Sequence, residues 1–169
     1  MIRKGAVTWK NNPADLEGPE LKPGDKAPSG FTLSANDLSP VAGKELAGRP
    51  RIVCAVPSLD TAVCDLETRR FNEEAAKLSG VEVYTVSMDL PFAQKRWCGN
   101  AGIDRVKTLS DYKDRSFAPA YGVWVPAKGL MARAVFVIDG KDVLKHVEYV
   151  KEVGSEPDYA AALEAARTL

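Results

Sequence analysis

Thr61 and Cys64 stand three residues apart in the stretch "PSLDTAVC", residues 57–64, where the strand-forming run "RIVCAV" gives way to the charged run "CDLETRRFNEEAAKL". Threonine is a good helix N-cap, and a cysteine three residues on falls in the first helical turn. There the backbone N–H groups lack intrahelical partners, and the helix dipole favours negative charge. A thiol so placed gains thiolate character, and the thiolate is the nucleophile. Pro57 lacks an N–H and fixes the chain ahead of the turn, so it can hold the turn in shape and narrow access to the sulfur. The plainer alternative for Cys64 is a small buried hydrophobe.

Two further residues bear on that choice. Cys98 closes the next strand-plus-helix unit, in "QKRWCG", and offers a second thiol able to capture an oxidised Cys64. Arg133 interrupts the apolar run "LMARAVFVI", where an unpaired guanidinium is costly, so it needs an anion beside it. A carboxylate such as Glu67 or Asp60 is the ordinary partner, and the Cys64 thiolate is the sharper alternative. Cys54, mid-strand in "RIVCAV", reads as core packing.

Competing chemistries fit poorly. Cys64 and Arg70 have the Cys-x5-Arg spacing of a phosphate-cradling loop, but the residues between them are Asp-Leu-Glu-Thr-Arg. They contain no glycine for the curl, and two carboxylates would repel a dianion. With one histidine, His146, which reads as a strand-surface residue, and no Cys-x-x-Cys pair, neither a metal nor another cofactor is expected. The missing pair also disfavours a dithiol oxidoreductase.

The elements that position these residues can be read from periodicity. "RIVCAV" looks like a buried strand. Leu66, Phe71, Ala75 and Leu78 lie near one side of a following helix ended by Ser79-Gly80. "VEVYTVSMD" is a second strand, and Pro91 opens a second helix closed by Gly99. An apolar run at 130–138, a turn at Asp139-Gly140, a strand at 143–150 and a helix in "EPDYAAALEAARTL" complete an α/β unit with a mixed sheet. Residues 1–18 read as a small hairpin or arm, and residues 19–169 as the main domain.

Composition bounds the partners. The chain has 169 residues, is 45% hydrophobic, and balances 23 Lys+Arg against 23 Asp+Glu, so neither nucleic acid nor an anionic membrane is an expected partner. Without a secretory pattern or a long apolar run, a cytoplasmic location is expected. Three cysteines, an odd number, argue against a structural disulfide framework.

Pro57-x-x-x-Thr61-x-x-Cys64 resembles the active-site motif of the peroxiredoxins. The longer stretches "PSLDTAVCDLETRRFN", "VSMDLPFAQKRWCG", "TLSDY", "AYGV" and "ARAVFVID" are similar to the thiol peroxidase subfamily. The resemblance covers about residues 20–165. It implies a thioredoxin-like fold with an N-terminal β-hairpin extension. It also implies an atypical two-cysteine mechanism, with Cys64 peroxidatic and Cys98 resolving through an intrachain disulfide. Thr61 and Arg133 would bond the thiolate and peroxide, and Pro57 would shield them. Hydrogen peroxide and organic hydroperoxides would be the substrates, thioredoxin the reductant, antioxidant defence the role and a homodimer the assembly. The chain departs from the family pattern at "APSGF" and at Trp97, where phenylalanine is common. A redox sensor or binding module on the same scaffold is the non-enzymatic alternative.

Overall fold

The computed structural model describes residues 1–169. In chain order its strands are β1 (Ile2–Trp9), β2 (Asn12–Glu17), β3 (Thr32–Ser34), β4 (Pro40–Ala42), β5 (Arg51–Ala55), β6 (Glu82–Ser87), β7 (Val106–Ser110), β8 (Trp124–Val125), β9 (Leu130–Met131), β10 (Ala134–Ile138) and β11 (Leu144–Tyr149). Its helices are α1 (Ala62–Ala75), α2 (Pro91–Ala101), α3 (Phe117–Ala120) and α4 (Tyr159–Arg167).

Seven strands form the main sheet in the order β11-β10-β5-β6-β7-β3-β4. β5, β6 and β7 run parallel, while β10 pairs antiparallel with both β5 and β11. The sheet is therefore mixed and flanked by helices, a thioredoxin-like α/β architecture. Side-chain alternation along β5 explains why "RIVCAV" carries no polar face. Ile52 and Cys54 pack with Phe71 of α1 and with Ala162, Leu163 and Ala166 of α4. Val53 and Ala55 point the other way, into a core with Phe31, Phe117, Tyr121 and Phe136. Both faces of this strand are covered, so both must be apolar.

Two helical details differ from the sequence expectation. α1 ends at Ala75 rather than near Leu78, and its buried face is Cys64, Glu67, Thr68 and Phe71, leaving Leu66 exposed. A helix whose first turn forms a site can bury polar residues there, which shifts the buried stripe away from the apolar wheel. Gly99 lies inside α2. The helix is stopped instead by Gly102, whose φ of 66° is the left-handed cap that glycine adopts without strain.

β1 and β2 pair as an antiparallel hairpin that joins β8 and β9 in a second, four-stranded sheet. Its seam with the main body leaves no room for a Cβ at two points. A Cβ on Gly18 would fall 2.1 Å from the Pro119 carbonyl oxygen, and one on Gly122 would fall 1.9 Å from that of Pro19. At the far end the hairpin turn, Lys10-Asn11, has φ of 50° and 63°, as a two-residue turn matching strand twist requires. No helix is long and apolar enough to cross a membrane.

Candidate active site

β5 runs out at Ala55, and the chain turns into α1 through a loop anchored on one carboxylate. Asp89 accepts hydrogen bonds from Ser58 Oγ at 2.6 Å, from the Leu59 N–H at 2.8 Å and from Ser87 Oγ at 2.7 Å. Thr61, extended at φ −97° and ψ 146°, caps α1: its Oγ1 accepts from the Cys64 N–H at 3.3 Å and donates to the Ser58 carbonyl at 3.2 Å. Cys64 is thus the third helical residue, as the spacing predicts, and it is 0% exposed.

Arg133 reaches this sulfur from the segment between β9 and β10. Its guanidinium is buried, and each of its three nitrogens donates a hydrogen bond. Nη2 donates to Cys64 Sγ at 3.2 Å, Nη1 donates to the Glu67 carboxylate, and Nε donates to the Val153 carbonyl at 3.0 Å. The two partners weighed from sequence are therefore both present, since the guanidinium fork serves a carboxylate and a sulfur at once. Asp60 is exposed and makes no bond to it.

Electrostatics set the character of the pair. Burial pushes the Glu67 carboxyl up to about 7, outweighing the pull of Arg133, and the nearby Glu148 and Glu156 push in the same direction. Burial acts to lower the Arg133 value, but Glu67 and Cys64 outweigh it and raise it, so the cation persists. Glu67 Oε1 is buried without a hydrogen-bond partner. A cation and the first turn of a helix capped by Thr61 thus converge on one thiol, an arrangement able to stabilise negative charge on sulfur and on a reacting oxygen beside it.

A pocket of about 190 Å³ lies against Thr61 and Arg133, the two residues that bond Cys64, and is bounded by Pro57, Ala62 and Val63 together with Trp9, Lys10, Glu152, Val153 and Gly154; Cys64 itself, wholly buried, is not part of its lining. Of the five residues singled out from sequence, Pro57, Thr61 and Arg133 line this pocket, and Cys64 joins them through its hydrogen bonds with Thr61 and Arg133. Cys98 does not. Its Sγ sits 3.3 Å from Thr108 Oγ1, and it lines a different pocket, of about 470 Å³, with Asn36, Tyr84, Ile103 and Lys107. All three cysteines are free. Cys54 is wholly buried, and its thiol is pushed up by burial, as befits core packing.

Sequence reasoning missed Asp89 as the anchor of the turn. It also missed Trp9, Lys10 and Glu152 as pocket residues, because nothing local signals a contact across more than a hundred residues.

Comparison with known proteins decides the lineage. The AhpC/TSA family profile matches residues 23–147. The chain belongs to the AhpC/TSA family. The matched span contains Pro57, Thr61, Cys64, Cys98 and Arg133. Among curated AhpC/TSA relatives, the chain is 57% identical to a thiol peroxidase of Halalkalibacterium halodurans, covering 96% of this chain and 97% of that one. It is 50% identical to a thiol peroxidase of Bacillus subtilis with the same coverage. Among solved structures it is similar to a peroxiredoxin-like protein from Aquifex aeolicus, with a TM-score of 0.88 and 42% identity over 97% of this chain and 96% of that one. Identity of this order over nearly the whole length makes it a peroxiredoxin-type peroxidase.

Proposed function

We propose that this protein reduces hydrogen peroxide and organic hydroperoxides by a two-cysteine cycle on one chain. The observation that carries this reading is the 3.2 Å contact from Arg133 Nη2 to Cys64 Sγ at the mouth of a capped helix. The Cys64 thiolate attacks one peroxide oxygen and the O–O bond breaks. The departing oxygen takes up a proton and leaves as water or an alcohol, and sulfur is left as a sulfenic acid. Arg133 and the first-turn N–H groups stabilise the charge as it moves from sulfur to the leaving oxygen. The Thr61 hydroxyl orients the peroxide.

The Cys98 thiol then condenses with the sulfenic acid, releasing water and forming an intrachain disulfide. An external dithiol of the thioredoxin type returns the two electrons by exchange. Since Cys98 faces Thr108 in the reduced protein, the end of α2 must loosen for the sulfurs to meet. The same reading places the enzyme in the cytoplasm, in antioxidant defence, as a homodimer. Leu90 (52% exposed), Phe92 (65%) and Tyr112 (36%) support the dimer as apolar surface on neighbouring segments, joined where Ser110 Oγ bonds the Asp89 carbonyl.

Stopped-flow mixing with hydrogen peroxide tests the reading. The wild type should consume it orders of magnitude faster than free cysteine, and Cys64→Ser should not. A rate equal to that of free cysteine would overturn the reading in favour of a sensor, a binding module or a thiol–disulfide oxidoreductase.

A further inference from the structure

The pocket lined by Thr61 and Arg133, the two side chains that bond Cys64, has two walls of different origin. One is the turn and first helical residues that carry the thiol. The other is built by the N-terminal hairpin, whose Trp9 and Lys10 close the side opposite Pro57, Ala62 and Val63.

That hairpin wall is held rigidly. Thr8 pairs with the segment after β11, its N–H donating to the Lys151 carbonyl at 2.7 Å and its carbonyl accepting from the Val153 N–H at 2.9 Å. The Glu152 carboxylate then gathers the hairpin tip, accepting from Thr8 Oγ1 at 2.7 Å, the Lys10 N–H at 3.1 Å and the Asn11 N–H at 3.0 Å. These bonds hold the Glu152 carboxyl down to about 2, so the clamp stays charged across the physiological range. The next residue, Val153, gives its carbonyl to Arg133 Nε at 3.0 Å. One short segment therefore fixes both the hairpin tip and the guanidinium that meets the sulfur, and it sets the distance between them.

We propose that Trp9 is a specificity-determining residue: its indole is the fixed wall on which the organic substituent of an alkyl or aryl hydroperoxide packs while the peroxide oxygens meet Thr61 and Arg133. Resting on the peroxidase reading above, this inference names the part of the substrate that the hairpin recognises. Hydrogen peroxide has no substituent and gains nothing from that wall. A substituent of several carbons fills a largely apolar space formed by Trp9, Pro57, Ala62, Val63 and Val153, and each apolar contact there discriminates between substrates.

The test compares kcat/KM for cumene hydroperoxide and for hydrogen peroxide, with dithiothreitol as reductant, in the wild type, Trp9→Ala and Trp9→Phe. Trp9→Ala should lose about tenfold on cumene hydroperoxide and less than threefold on hydrogen peroxide. Trp9→Phe, which keeps an aromatic wall, should hold the wild-type ratio within about threefold. An unchanged ratio in Trp9→Ala, or equal losses on both peroxides, would overturn the inference and leave the hairpin a purely structural appendage. A wild type that consumes neither peroxide would instead overturn the peroxidase reading on which it rests.

Discussion

The residue after Cys64 is tied to the residue before Cys98: Trp97 Nε1 donates a 3.0 Å hydrogen bond to Asp65 Oδ1. The tie is reinforced on both sides. Arg69, bonded to Asp65 at 2.8 Å, also donates to the Ala101 carbonyl at 3.0 Å, and its guanidinium lies 5.9 Å from the Trp97 ring. The same indole packs against Val56, Leu59 and Cys64. The end of α2 is thereby latched onto α1 in the reduced protein, although the proposed cycle requires it to come free.

Weakening the latch should therefore favour disulfide formation. Trp97→Phe removes one hydrogen bond to a half-exposed carboxylate, which is worth about 1 kcal/mol, and the rate of Cys64–Cys98 closure should rise by about threefold to tenfold. Rapid-quench alkylation after a peroxide pulse measures it directly. Closure slower than in the wild type would mean that the indole guides Cys98 rather than restrains it.

Arg133 should matter to both catalysis and folding. Arg133→Ala removes the only cation on the sulfur and leaves Glu67 buried beside it without its partner. Peroxide consumption should fall by about a hundredfold or more, and stability by about 3–5 kcal/mol. Adding Glu67→Gln should restore part of the stability and none of the rate, a separation that urea titration and stopped-flow kinetics together can detect.

Glu67 gives the protein a pH signature. Its folded value of about 7 lies above the 4.5 of an unperturbed glutamate, so between those values the native state holds a proton that the unfolded chain has lost. That contribution to stability is complete below about 4.5 and disappears as pH rises through about 7. The stability difference between wild type and Glu67→Gln should therefore shift against the wild type by up to about 3 kcal/mol from pH 5 to pH 8. Parallel urea-unfolding profiles would contradict the burial argument.

Cys98→Ser should permit a single turnover. Cys64 would be oxidised once and would then persist as sulfenic acid or advance to the sulfinic acid, since the one remaining thiol, Cys54, is wholly buried in the core. Mass spectrometry of the intact protein should show additions of one or two oxygen atoms. Sustained turnover in that variant with a thioredoxin reductant would remove Cys98 from the cycle.

What could be read in advance divides along a physical line. The turn at Thr61–Cys64 was legible because capping is a local rule with a fixed offset. Arg133 was legible because a cation within an apolar run demands a partner. Which partner it takes was not, since both Glu67 and Cys64 lie on one helical face and only the fold brings that face to the guanidinium. The two-residue strands β8 and β9 and the short helix α3 are too brief to carry a period. The pocket wall at Trp9 depends on Glu152, a contact made only after the chain ends come together, so no window of sequence contains it.

The central claim is that Cys64 and Cys98 are one reactive pair. It is tested most directly by counting free thiols before and after one equivalent of hydrogen peroxide and mapping any new bond by mass spectrometry. The account predicts that two of the three thiols disappear into a single bond joining Cys64 to Cys98, with Cys54 untouched. Three thiols surviving the peroxide, or a bond that includes Cys54, would contradict it.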